Sequence, residues 1–274
     1  MRYLRVAVLV IFAASILFAA WANIQYYSGI NTDPPVLTGS TDTLTLSVND
    51  EPNAIFRGLT AHDKIDGDLT DQIIVSSVSH FMEPLSVTVK YVVFDSHNNS
   101  ASFSRKVCYT DYESPRFSLS KTPVYKVGRS FDLLNYIQVN DCLDGDISDH
   151  VRVISNMVNS YSVGVYPVVL EVSNSCGDTA QVTIWVTYTS QENTAIIGLQ
   201  DHIVYIPQGQ QIDPYDYVTS VTDLEGRTLD LHNLSVQGNP DLEKPGDYQL
   251  TYTYADGART GQTTLTVVVT ERQA

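Results

Sequence analysis

Every second residue of the stretch 85–93 is large and apolar: Leu85, Val87, Val89, Tyr91 and Val93. Tyr166, Val168, Leu170 and Val172 repeat the pattern, and so do Tyr248, Leu250, Tyr252 and Tyr254. A period of two is that of a β-strand with one buried face. Each run is followed by polar residues (96–99, 175–178 and 257–259) and then by a second alternating segment. The clearest of these are Val182, Ile184, Val186 and Leu265, Val267, Val269. Each pair of runs predicts a β-hairpin. The three copies align in register at a spacing of roughly 80 residues, too long for a solenoid unit and suited to small sandwich domains. No long amphipathic helix interrupts them, so the pattern predicts an all-β chain of antiparallel sandwiches. The connections near 111–115 and 189–194 are short, which favours a semi-rigid arrangement.

Upstream of each hairpin lies a second shared segment. In the first copy Asp63, Asp66, Gly67, Asp68 and Thr70 are spaced as Asp141, Asp144, Gly145, Asp146 and Ser148 are in the second. The third is degenerate, with Asp223, Glu225, Gly226 and Arg227. A D-x-x-D-G-D-[LI]-[TS] segment followed by G-x-Y-x-V-x-Y-x-V-x-D and a Gly/Asn turn resembles the bacterial immunoglobulin-like surface repeats. Modules of that kind occur in the accessory regions of pesticidal crystal proteins and in exported proteins of Gram-positive bacteria. The resemblance covers nearly everything after Asp33. It is fullest in the second copy, which adds Tyr125, Val127, Gly128 and the run 131–136. Leu85 departs from the pattern, which asks for Gly. The resemblance implies three tandem immunoglobulin-like antiparallel β-sandwiches, at 33–112, 114–190 and 194–272. It says little about function, because such modules serve as spacers, adhesins and carbohydrate-binding accessories.

Residues 1–30 read differently. Arg2 and Arg5 precede an unbroken apolar run over 6–22, and the next basic residue is Arg57. The positive-inside rule keeps the N-terminus in the cytoplasm and exports the rest. One fate is a retained N-terminal hydrophobic helix, a single-pass membrane anchor with Trp21, Tyr26 and Tyr27 at the outer interface. The other is a signal peptide cleaved after the Ala20-Trp21-Ala22 motif, releasing the chain.

A formal net charge of −15 argues against nucleic-acid partners, whose phosphates would be repelled. It suits an exposed protein, and one that meets cations. Asp63, Asp66 and Asp68 place hard oxygen ligands in one loop, as do Asp141, Asp144 and Asp146 in the second copy. In an immunoglobulin-like sandwich this loop and the last hairpin turn share one end, which brings Asp95 toward the first cluster and Asn174 and Asp178 toward the second. Such oxygens suit Ca2+. Asp-Gly is equally an ordinary turn former, and the spacing is not that of an EF-hand. Cys142 and Cys176 fall in the same two loops of the second copy, so either a disulfide or two thiols is open. Cys108 is the odd third cysteine.

No catalytic constellation stands out. The six histidines are scattered. Ser118 and Lys121 form an S-x-x-K pattern where a strand is expected, without the helix and partner motifs that chemistry needs. The reading is therefore non-enzymatic: a surface-exposed spacer or interaction module, touching the membrane through its N-terminal segment and a surface protein or polysaccharide beyond it. The alternative is a carbohydrate- or wall-binding accessory, with outward-facing Trp185 as its candidate stacking platform.

Overall fold

The structure is a computed structural model that describes residues 12, 14–22, 32–40, 43–81, 86–130, 132–190 and 195–271. The chain divides into two compact units, Met1–Thr110 and Asp111–Ala274. The first unit holds the first repeat. The second holds the other two, and no division falls between them.

Among the described residues the first repeat has seven strands: β1 (Val36–Gly39), β2 (Leu44–Leu46), β3 (Leu59–Asp63), β4 (Gly67–Asp68), β5 (Ile74–Val78), β6 (Ser86–Phe94) and β7 (Ser100–Tyr109). They form two sheets, ordered β1-β3-β4 and β2-β7-β6-β5. The second repeat follows the same plan with β8 (Arg116–Leu119), β9 (Val124–Lys126), β10 (Ile137–Asp141), β11 (Gly145–Asp146), β12 (Arg152–Asn156), β13 (Gly164–Ser173) and β14 (Thr179–Thr189). Its sheets run β11-β10-β8 and β12-β13-β14-β9. The third has β15 (Ala195–Leu199), β16 (Ile203–Pro207), β17 (Val218–Asp223), β18 (Leu234–Gln237), β19 (Gly246–Ala255) and β20 (Thr260–Thr270), in sheets β15-β17 and β16-β20-β19-β18. Pairing is antiparallel except at one recurring place: β2, β9 and β16 each lie parallel to the last strand of their repeat.

The predicted hairpins are β6–β7, β13–β14 and β19–β20. Their alternating residues form the cores: Val87, Val89, Tyr91, Val93; Val168, Leu170, Val172; Leu250, Tyr252, Tyr254 are all buried. Burying each such side chain stabilises the fold by about 1.5–3 kcal/mol. The inward position held by Ile184 on β14 and Leu265 on β20 is occupied on β7 by Arg105. Its buried guanidinium donates to the carbonyls of Ile55 and Arg57 at 2.6 and 2.7 Å and lies 5.2 Å from the Tyr91 ring centre. Carbonyl lone pairs and a ring face satisfy the charge, and the short 3-10 turn Pro52–Phe56 is tied to the core.

The expectation of a single-pass membrane anchor over 6–22 is overturned. Among the described residues no helix is long and apolar enough to cross a membrane. Within the described residues the helix covers 12 and 14–22. Residues 6–11 and 13, and Tyr26 and Tyr27, lie outside the described residues.

Candidate functional site

The shared D-x-x-D-G-D segment is a turn in which every acid has a specific partner. Asp63 Oδ1 accepts from the N–H groups of Ile65 and Asp66 at 2.7 and 3.0 Å. Asp141 does the same with Leu143 and Asp144, both at 2.9 Å, and Asp223 with Glu225 and Arg227. The N–H donors from Asp66 and Ile65 hold the Asp63 carboxyl below its ordinary value. Gly67, Gly145 and Gly226 complete the turns with φ between 72° and 80°, a conformation that favours Gly.

The second acid reaches across to the hairpin turn. Asp66 accepts from Ser96 N and Ser96 Oγ at 2.8 and 2.9 Å. Asp144 accepts from Ser175 N and Ser175 Oγ at 2.6 and 2.8 Å. The third acid has its own partner: Asp68 and Asp146 accept from Thr70 N and Ser148 N, at the start of short 3-10 turns. The Thr70 and Ser148 hydroxyls beside them hold both carboxyls below their ordinary value.

The predicted convergence of loops occurs. Asp66, Asp95 and His97 bring one ligand atom each within 4.8 Å of one another. Asp95 is committed as well, accepting from His97 N, Asn99 N and Asn99 Nδ2 at 2.7–2.9 Å. In the second repeat Asn174 takes the place of Asp95. It donates to Asp141 at 3.2 Å and to the hydroxyl of Tyr112 at 2.8 Å, and Tyr112 donates on to Asp178 at 2.7 Å. Burial pushes the Tyr112 phenol far above its ordinary range. In the third repeat Arg227 pairs with Asp223 at 2.8 Å and Glu225 at 3.0 Å, so a tethered cation sits among the remaining acids. Ser96, Ser175 and Tyr112 carry these contacts without having stood out in the sequence. The repeated Ser one residue after Asp95 and after Asn174 was the available signal.

Cys142 and Cys176 lie in these two stapled loops, and no bridge joins them in this structure. The Cys142 thiol donates to Glu113 O at 3.2 Å. Cys108 is half-buried on β7.

A second arrangement joins the second and third repeats. Strand β9 covers β14 only at Thr187–Thr189, leaving the preceding stretch of that edge open. Side chains of the third repeat fill it. Thr183 N donates to Asp247 Oδ2 at 2.5 Å, Thr183 O accepts from Thr266 Oγ1 at 3.2 Å, and Trp185 O accepts from Thr264 Oγ1 at 2.9 Å. Phe117 N on β8 donates to Tyr205 OH at 2.7 Å, and Thr122 Oγ1 meets His202 Nε2 at 3.2 Å. Ile203, Tyr205 and Val268 pack on the core of the second repeat. Half-buried Trp185 thus lies on the stretch that meets β20. Beside the contact is a cleft of about 580 Å³, whose lining includes Arg116, Asn140, Asp201, Tyr205 and Tyr217. The Arg116 guanidinium lies 5.2 Å from the Tyr205 ring centre.

Residues 200–269 match the family described as Bacterial Ig-like domain (group 3). Over this stretch the chain is similar to bacterial Ig-like domains. The resemblance read in the sequence is borne out by the relatives of the wider chain. Pesticidal crystal protein Cry22Aa of Bacillus thuringiensis is 31% identical over 137 residues, covering 47% of this chain and 18% of that protein. An uncharacterized 81.3 kDa protein of Acholeplasma phage L2 is 31% identical over 147 residues, covering 51% of this chain and 19% of its own. The chain therefore spans less than a fifth of either relative. Among solved structures, Drosophila N-cadherin EC1-3 is 11% identical with a TM-score of 0.30, over 85% of this chain and 98% of that one. The CBM51-2 structure in complex with GlcNAc and INT domains from Clostridium perfringens ZmpB is 19% identical with a TM-score of 0.23, over 59% and 30%.

Proposed function

We propose that the chain is a non-enzymatic, extracytoplasmic set of three Ig-like sandwich domains, at 33–112, 114–190 and 194–272, acting as a spacer and interaction module. The observation that carries the spacer role is the docking of β20 and Asp247 onto the open edge of β14. Three hydrogen bonds to one strand edge, with Ile203 packed in the neighbouring core, fix the angle between two consecutive domains. A flexible string would be joined by solvated linker alone. NMR relaxation on the intact chain tests this. The second and third repeats are expected to share one rotational correlation time, and separate values would refute the reading.

Polysaccharide binding is a second reading, favoured by the cleft that Arg116, Tyr205 and Tyr217 line. An aromatic face beside polar groups is what a sugar ring requires. It predicts binding of wall polysaccharide that Tyr217→Ala weakens tenfold or more. Equal retention of both proteins on a polysaccharide column would exclude it.

A further inference from the structure

We propose that Cys142 and Cys176 form a reversible redox pair, closing to a disulfide by exchange with an oxidised small-molecule disulfide such as oxidised glutathione. Residues beside the two cysteines are already joined. Asp141, next to Cys142, accepts from Asn174, and Asp144 accepts twice from Ser175, next to Cys176. The loops therefore need no search to bring the sulfurs together, and each hydrogen bond limits how far they can part. Cys176 is buried at 8% exposure, whereas Cys142 is half-buried and faces the cleft wall. Burial, with the Asp144 and Asp141 carboxylates nearby, pushes the Cys176 thiol above its ordinary value. The first repeat has Lys64 and His97 at these two positions and the third has Leu224 and Ala258, so the pair belongs to the second repeat alone.

The exposed partner reacts first. The Cys142 thiolate attacks one sulfur of the glutathione disulfide, forming a mixed disulfide and releasing one glutathione thiol. The Cys176 thiolate then attacks Cys142 Sγ, forming the protein disulfide and releasing the second. Two protein thiols and one small disulfide become one protein disulfide and two small thiols. Burial pushes the Cys142 thiol above its ordinary value of 9.0, so exchange is slow at neutral pH and faster as the solution turns alkaline. Closing the pair also withdraws the Cys142 thiol from Glu113 O at the cleft wall.

The intact chain, incubated with oxidised and reduced glutathione, provides the test, read by non-reducing mass spectrometry and peptide mapping. The expected product has lost two hydrogens and yields a peptide linking Cys142 to Cys176. Its formation should quicken about tenfold per pH unit below the thiol pKa, and the product should melt several degrees higher than the reduced chain. Cys176→Ser should stop at the Cys142 mixed disulfide. A wild-type chain that keeps both thiols, halts as the mixed disulfide, or links through Cys108 overturns the proposal.

Discussion

Asp144 shows what one acid of the repeated segment does. Its two oxygens accept from the backbone and hydroxyl of Ser175, tying two loops of one sandwich end together. Asp144→Ala removes both hydrogen bonds at an exposed turn, where water takes their place, and should lower stability by about 0.5–1.5 kcal/mol in chemical denaturation, with Asp144→Asn costing less. Ca2+ needs several oxygens turned to a common point. Here most are turned to N–H and O–H donors. The melting temperature is therefore expected to be the same in calcium and in chelator, and a rise in calcium would place an ion near Asp66, Asp95 and His97. The acids were legible as a group from their spacing, and both of their ordinary uses could be named. Their cross-loop partners were not legible, because these are Ser96 and Ser175, residues of an ordinary type about thirty positions away.

At the scale of strands, period two sufficed for the long hairpins, since Val168, Leu170 and Val172 can only face one way. It fell short on β7, where Arg105 takes an inward position by finding two carbonyls and a ring in the chain around residue 55. Hydropathy cannot register a charge whose partners are main-chain atoms. Nor does it register that Thr264 and Thr266 aim their hydroxyls at another repeat. Thr264→Val and Thr266→Val should each cost about 0.5–1.5 kcal/mol and increase proteolysis near residues 190–194. Asp247 adds a pH dependence to the same contact. Burial raises its carboxyl above the ordinary 3.8. The folded state then holds the proton more tightly than the unfolded one, so this group's contribution declines as pH rises above 3.8 through the raised value. Asp247→Asn should remove that decline, seen as a shallower fall of melting temperature with pH. Asp68 and Asp146, whose carboxyls are lowered, act with the opposite sign and lose their contribution as pH falls below 3.8.

Over the whole molecule, the three copies written in the sequence correspond to two compact units. The division falls at Thr110 and Asp111. The second and third repeats lie in one unit, and Ile203 and Tyr205 of the third join the packing of the second. Repeat spacing reports where copies begin and is silent about what they bury against one another. Calorimetry should accordingly resolve two transitions, with the second and third repeats unfolding together, and three separate transitions would contradict the shared core.

The open edge of β14 has a consequence for cutting and recombining this chain. A fragment ending near residue 190 would lose Ile203 from its core and present bare N–H and C=O groups at Thr183 and Trp185, with the carboxylate and hydroxyls that cover them removed. Bare strand edges recruit other strands. Such a fragment should self-associate with rising concentration on a sizing column, while one carrying both repeats stays monodisperse. For shuffling or grafting, the transferable unit is the pair.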